Sequence, residues 1–344
     1  VLRTAVIGAS GYSGQELLRY LARHPVFELT LVTSRQQAGE RLDQHISGLP
    51  QKIGALKFID LGADAKELPD HADIFFLAVP HGTAAPYAVA LRQAGKTVVD
   101  LSADFRTTDP AVYKEFYDHD HPAPRLLKEA VYGLPELHRA ELKQAKLIAA
   151  PGCFPTSIIL PLAPFLRERA IDPAHVTVTS LSGVSGAGRK LELRLLFGEV
   201  SENMYPYGVP KHRHVGEIEQ ELSLAAGAPV PITFVPHLVP IHRGMVTTIV
   251  APLLKTDLTD AAALDVLKKA YGGEPFVELL PAGVLPQARD VAHSNRIQIS
   301  ARVDVRAKRL LLFSAIDNLG KGNASQAIQA ANLACGLGEA TGLN

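Results

Sequence analysis

The sequence contains no tryptophan, two methionines and two cysteines among 344 residues. Cys153 and Cys335 are too few for the disulfide framework of a secreted scaffold and point to a reducing, cytoplasmic setting. No run of about 18 apolar residues occurs, so no membrane-spanning helix is expected. The apolar stretch at residues 1–7 is too short for the core of a secretory signal. Charge of one sign is also missing: 35 basic side chains balance 35 acidic ones. That balance excludes partners recruited by net charge, so neither nucleic acid nor an anionic membrane surface is expected. Hydrophobic residues make up 47% of the chain and charged residues 20%, which excludes a disordered or fibrous protein. The length suits about two domains, and no internal repeat or low-complexity segment is present.

The first part of the chain alternates short apolar runs with helical patterns. Strands are expected at 4–7, 29–32, 73–79, 97–101 and 146–149, and helices at 15–23 and 83–93. The run at 73–79 is continuously apolar, as in a strand buried on both faces of a parallel sheet. This β-α-β order predicts an α/β, Rossmann-type doubly wound domain over 1–149. Strand-like runs then cluster at 176–181, 232–235, 245–254, 297–305 and 310–316, with one clear helix at 260–271. They predict an α+β catalytic domain with a mixed or antiparallel sheet over 150–318.

The first strand runs into Gly8-Ala9-Ser10-Gly11-Tyr12-Ser13-Gly14 and then a helix. Glycines at this spacing let the backbone turn tightly and approach a pyrophosphate, which the helix N-terminus attracts through its N–H groups and dipole. Gly8, Ser10, Gly11, Tyr12, Ser13 and Gly14 are therefore candidate cofactor-binding residues; a tight β-α turn is the plain alternative. The second strand ends in Thr33-Ser34-Arg35, where NAD-binding versions carry an acidic residue for the ribose hydroxyls. Ser34 and Arg35 instead suit a 2′-phosphate, which favours NADP(H), although a solvated surface arginine would look the same.

Cys153 follows an apolar strand in Pro151-Gly152-Cys153-Phe154-Pro155-Thr156, just before a helix expected from residue 156. A thiol at a helix N-terminus gains thiolate character and nucleophilicity, whereas a cysteine that merely packs is the bland reading. Cys335 has no such surroundings and is expected in the core. In Lys211-His212-Arg213-His214-Val215-Gly216-Glu217, a carboxylate one helical turn from an imidazole can orient it for proton transfer. Two histidines and a glutamate could also bind zinc, but no further cluster completes the ligands, and no metal is expected. The loop at 182–189, with Ser185, Gly186 and Arg189, has the donors for carboxylate or phosphate capture. Arg106 follows a strand's carboxyl end and could hold substrate, with a structural contact to Asp104 as the competing reading.

Taken together, GASGYSG at 8–14, SADFR at 102–106, YGLPE at 132–136, PGCFPT at 151–156, SGVSGAGR at 182–189, HRHVGEIEQEL at 212–222 and DNLGKG at 317–322 resemble one family. It is the N-acetyl-gamma-glutamyl-phosphate reductase family of the aspartate-semialdehyde dehydrogenase superfamily, and the resemblance spans nearly the whole chain. It implies NADPH-dependent reduction of an acyl phosphate to an aldehyde, with release of inorganic phosphate, in arginine biosynthesis. By this resemblance Cys153 is the nucleophile, His214 the base and Glu217 its orienter. Arg106, Ser185, Gly186, Arg189 and His212 fall where substrate is recognised. The family further implies a homodimer or homotetramer, and a C-terminal helix in 319–344 that returns to the nucleotide domain.

The chain departs from the family pattern at Phe154, usually tyrosine, and at Pro210-Lys211, Val215-Gly216, Asn323 and Ser325. Two rival activities use similar chemistry. One is reduction of a carrier-protein-bound aminoadipyl or glutamyl phosphate; the other is aspartate-semialdehyde dehydrogenase, disfavoured by Pro-Gly-Cys in place of an Asn-Cys pair.

Overall fold

A computed structural model describes residues 1–61, 67–189 and 191–343. The chain divides into two compact units, Val1–Pro151 with Asn323–Asn344, and Gly152–Gly322.

In the first unit β1 (Leu2–Ile7), β2 (Phe27–Val32), β3 (Ile74–Leu77), β4 (Thr97–Asp100), β5 (Val131–Tyr132) and β6 (Leu147–Ala149) form one sheet. The order is β2-β1-β3-β4-β6-β5, and every pair is parallel. Each residue of β3, β4 and β6 is buried, the reason β3 and β6 read as unbroken apolar runs, while β4 carries Thr97 and Asp100 at its ends. The two-residue β5 is too short to leave a periodic signal and was not expected. Strand order reverses at β1, with β2 on one side and β3 on the other. The glycine loop leaves the carboxyl end of β1, at the switch point where open α/β sheets bind ligands.

Helix Ser325–Ala334 belongs to this unit. Ala327, Ala330 and Ala331 are fully buried, small enough for close backbone approach. Gln326 Nε2 donates to the Gly133 carbonyl at 2.8 Å, and the Arg139 guanidinium grips Glu339 at 3.1 Å. His24 Nε2 sits 3.1 Å from Asn332 Oδ1 and 3.0 Å from the Thr341 carbonyl, tying the C-terminal residues to the start of β2.

The second unit is a mixed seven-stranded sheet of β7 (Val176–Gly183), β8 (Tyr205–Pro206), β9 (Ile232–Val239), β10 (Met245–Pro252), β11 (Val277–Leu279), β12 (Ile297–Asp304) and β13 (Arg309–Ile316). Its order is β11-β12-β13-β10-β7-β9-β8; β7–β9 and β11–β12 are parallel and the other pairs antiparallel. Along β10, buried and half-buried residues alternate, so one face of the sheet is the core face. Against it lies helix Cys153–Arg167, joined by Ser157 Oγ to Thr247 Oγ1 at 2.8 Å.

That helix begins at Cys153, three residues before the sequence expectation, and continues through Pro161 and Pro164. A proline inside a helix removes one N–H and orphans the carbonyl four residues earlier. Here the two orphans are the carbonyls of Ser157 and Leu160. Ser314 Oγ donates to the first at 2.6 Å and the Tyr271 hydroxyl to the second at 2.7 Å. Tertiary hydroxyls thus complete a helix that local sequence rules would break. No helix among the described residues is long and apolar enough to cross a membrane.

Candidate active site

The glycines of the first loop have distinct physical reasons. Gly8 has φ +80, and a Cβ there would meet the Ala78 carbonyl oxygen and Val79 Cγ1 at 2.8 Å. At Gly14 a Cβ would sit 2.6 Å from Ala9 Cα, so the helix can pack on the strand only without a side chain. Gly11 caps helix Tyr12–Leu21 and faces open space, with nothing within 4 Å of a built Cβ. Tyr12 and Ser13 are the first helical residues, and Ser10 precedes the cap. The loop is therefore closed towards the sheet and open at the helix N-terminus, a fit to a pyrophosphate. Ser34 is buried; its hydroxyl accepts the Gln37 N–H at 3.3 Å, which tightens the turn after β2. Arg35 stands exposed beside that turn.

In the second unit Cys153 is the first residue of a 15-residue helix, with Gly152 as its cap in an extended conformation. The helix dipole favours negative charge at this position. His214 lies against Gly152: a Cβ there would meet the imidazole at 2.5 Å from Nε2 and 2.7 Å from Cε1. Glu217, only 1% exposed, holds one carboxylate oxygen 3.9 Å from His214 Nε2 and accepts the Gly152 N–H on the other at 3.3 Å. One carboxylate therefore ties the turn that carries the thiol and places its negative charge close to the imidazole. Phe154 meets the His214 ring at 5.8 Å and the His212 ring at 5.3 Å. The Tyr207 phenol is raised by burial and by the negative charge of Cys153, so it stays protonated.

His212 differs from His214 in character. Burial and the neighbouring Arg213 push its imidazole down to about 4, so it is neutral at physiological pH. A neutral ring offers hydrogen bonding but no charge to a substrate anion.

The segment 317–322 links the thiol to the Ser/Gly loop. Gly322 packs on Cys153, where a Cβ would meet Cys153 Cβ at 2.7 Å. Asn318 Nδ2 donates to Ser185 Oγ at 2.9 Å, and its Oδ1 accepts the Gly244 N–H at 2.7 Å. Buried Asp317 pairs with Arg243 at 2.5 Å and accepts the N–H groups of Leu319 and Gly320. Ser185 is buried and engaged by this scaffold, whereas Gly186 and Arg189 are exposed.

Arg106 lies in the first unit and is only 4% exposed. Its Nε donates to the Ala150 carbonyl at 2.8 Å and an Nη to the Leu101 carbonyl at 3.2 Å. These two bonds brace Arg106 between strand ends and fix the orientation of its guanidinium. Asp104 instead caps helix Ala84–Gln93, accepting from Gly82, Ala84 and Ala85. Asp100, fully buried, is pushed up to about 7 by burial and by Asp104.

Gly152, Gly322, Tyr207, Asp317 and Asn318 were not singled out from the sequence. The glycines matter through tertiary neighbours more than 60 residues away, which leave no local pattern. Only the DNLGKG string hinted at the segment 317–322.

A thiol at a helix start, an imidazole close to a buried carboxylate and a nucleotide loop define a thiol-dependent oxidoreductase of the semialdehyde dehydrogenase class. The family models agree: residues 3–145 match the semialdehyde dehydrogenase NAD binding domain and residues 153–318 its dimerisation domain. Aspartate semialdehyde dehydrogenase II from Vibrio cholerae, solved with ASA, shares the fold with a TM-score of 0.72 at 18% identity, over 96% of this chain and 97% of that one. The enzyme from Candida albicans, solved with NADP, gives 0.70 at 18% identity, over 97% and 98%. Sequence relatives are much nearer. N-acetyl-gamma-glutamyl-phosphate reductases from Akkermansia muciniphila and Moorella thermoacetica are 46% and 45% identical, over 99% and 100% of this chain and 98% of each relative. The relative of that name from Geobacter sp. is 47% identical over the full chain and 98% of its own length. The chain belongs to the N-acetyl-gamma-glutamyl-phosphate reductase family.

Proposed function

We propose that the chain reduces N-acetyl-gamma-glutamyl phosphate with NADPH to N-acetylglutamate 5-semialdehyde, releasing phosphate, in arginine biosynthesis. The observation that carries this reading is Cys153 at the helix start, next to Gly152 and the His214 imidazole packed on it, with the buried Glu217 carboxylate close by. His214 takes the thiol proton as Cys153 attacks the acyl carbon. The oxyanion is met by N–H groups of the helix's first turn; the Gly152 N–H is committed to Glu217 and does not contribute. Collapse expels phosphate and leaves a thioester on Cys153. NADPH, when bound at the glycine loop, supplies the hydride that reduces this thioester. The oxyanion of the second tetrahedral species then re-forms its carbonyl and breaks the carbon–sulfur bond, releasing the aldehyde, and the leaving Cys153 thiolate takes back the proton held by the imidazole. Cysteine serves both halves, as nucleophile and as leaving group.

The preference for NADPH rests on exposed Arg35, a fixed cation matched to a 2′-phosphate, presented by the turn that Ser34 closes. Arg189 and Gly186 are the substrate-anion contacts this reading favours, on a loop held through Ser185 and Asn318. The two cysteines form no disulfide, which suits a reducing cytoplasm. Self-association has a surface to match: Leu191, Leu193, Phe197 and Met204 are 65–96% exposed on the excursion between β7 and β8. Such a cluster is costly in water, and a second copy of the chain would cover it.

The test uses intact-protein mass spectrometry after mixing with the acyl phosphate and no NADPH. The wild type should gain one N-acetylglutamyl group, removable by hydroxylamine, and Cys153→Ser should gain none that hydroxylamine removes. An unmodified wild type that still turns over would rule out the thioester route.

A further inference from the structure

We propose that His212 is a positioning residue: a neutral imidazole, protonated on Nε2, that holds His214 against Gly152 without carrying a proton or binding substrate. The inference rests on the thiol chemistry proposed above and assigns the two histidines of the HRH segment different tasks.

The first observation is a hydrogen bond. The His214 backbone N–H donates to His212 Nδ1 at 3.1 Å. A nitrogen that accepts carries no proton, so in the neutral ring the proton is on Nε2. Protonating Nδ1 would set two donors face to face and break the contact. Positive charge on His212 and a fixed His214 backbone are therefore mutually exclusive.

The second observation is where this bond lies. His214 precedes helix Val215–Ala226 as its cap and has no side-chain cap of its own. The His212 carbonyl accepts the Val215 N–H at 3.0 Å, so His212 satisfies two consecutive N–H groups at this helix entry. It acts as the cap that the sequence does not provide with serine or aspartate.

The third observation is confinement. Phe154 stands perpendicular to the His212 ring at 5.3 Å, Phe234 lies at 5.5 Å and Tyr207 at 5.7 Å. The fourth wall is the His214 ring itself, at 4.9 Å. Gly208 has φ +62, and a Cβ there would come within 2.9 Å of His212 Cδ2. The titratable and charged groups around this box are His214, Tyr207 and Arg213, with Cys153 beside Tyr207 and Glu217 beside His214. Burial in this enclosure and the neighbouring Arg213 guanidinium disfavour an imidazolium at His212, in agreement with the depressed value of this ring.

Two variants separate positioning from the alternatives. In His212→Asn the amide oxygen can stand where Nδ1 accepts, but the side chain does not titrate. In His212→Phe the ring remains and the acceptor is lost. The readouts are the pH dependence of Cys153 alkylation by iodoacetamide, which needs no substrate, and kcat and KM for the acyl phosphate. We expect His212→Asn to keep the alkylation profile and lose no more than about tenfold in kcat. His212→Phe should shift the profile towards that of His214→Asn and lose about 100-fold in kcat with KM little changed, the signature of a misplaced group. A His212→Asn enzyme as impaired as His214→Asn would overturn the proposal and make His212 a proton carrier. Raised KM at unchanged kcat in His212→Asn would overturn it in favour of a substrate contact. If His212→Phe does not fold, the His212→Asn profile decides alone. Failure of the wider functional reading is distinguishable, because then the wild type itself would not oxidise NADPH with the acyl phosphate.

Discussion

Replacing Gly152 by alanine adds one methyl group at the point where the imidazole meets the thiol's helix. The backbone there has φ −72 and ψ 164, open to any residue, so alanine brings no conformational strain. Its Cβ would meet three His214 ring atoms at 2.5, 2.7 and 2.9 Å. Ordinary carbon contacts lie at about 3.5–4.0 Å, so the ring must retreat by about 1 Å. A displacement of that size in a reacting group costs about 100-fold in rate, or about 2.7 kcal/mol of transition-state stabilisation. The stability cost is smaller: alanine for glycine at a helix cap without side-chain bonding is on the order of 1 kcal/mol or less. Steady-state NADPH oxidation, alkylation of Cys153 and thermal unfolding together separate the two effects. Gly273→Ala, at a site with nothing within 4 Å of the added carbon, is the matched control. A Gly152→Ala enzyme with wild-type turnover and alkylation would refute the claim that His214 works from its place against Gly152.

Three further outcomes follow from single contacts. Tyr271→Phe leaves the Leu160 carbonyl, orphaned by Pro164, without its 2.7 Å partner, and should lower stability by about 1–3 kcal/mol, read as a lower urea midpoint at unchanged specific activity. Asp100 titrates near 7 in the fold against about 4 unfolded, so the folded state holds the extra proton and stability falls as pH rises from about 4 to 7, by a few kcal/mol at most. Asp100→Asn should flatten that slope between denaturation curves at pH 5 and pH 8, and an unchanged slope would exclude this carboxyl as its source. Phe197→Asp puts a charge in the exposed apolar cluster and should shift sedimentation equilibrium towards the monomer, whereas an unaltered assembly would place the interface elsewhere.

The parts of the fold legible in sequence were those set by local pattern. The continuous apolar run at 73–79 gave β3, short strand-like runs gave β4 and β6, and the helical pattern at 260–271 gave helix Asp260–Tyr271 at its observed bounds. The thiol helix was harder to read because Pro161 and Pro164 argue against helix locally. Ser314 and Tyr271, far along the chain, supply what the prolines remove. In the candidate site the thiol before a helix and the His-Arg-His segment with Glu217 three residues beyond His214 stood out by residue type and spacing, while the roles of Cys153 and His214 came from the family resemblance. For Arg106 the sequence shows a cation at a strand end but not the carbonyls of Ala150 and Leu101 that orient it. Gly152 and Gly322 were silent, since their role is the absence of a side chain facing a distant neighbour.

The central claim is that Cys153 and NADPH together interconvert an acyl phosphate and an aldehyde. The reverse reaction tests it most directly: N-acetylglutamate semialdehyde and phosphate are supplied with NADP or NAD, and reduced nicotinamide is followed by absorbance. The account predicts a signal that requires phosphate, is stronger with NADP and is absent in Cys153→Ser. A signal that persists without phosphate or in Cys153→Ser, or no signal from the folded wild type, would contradict it.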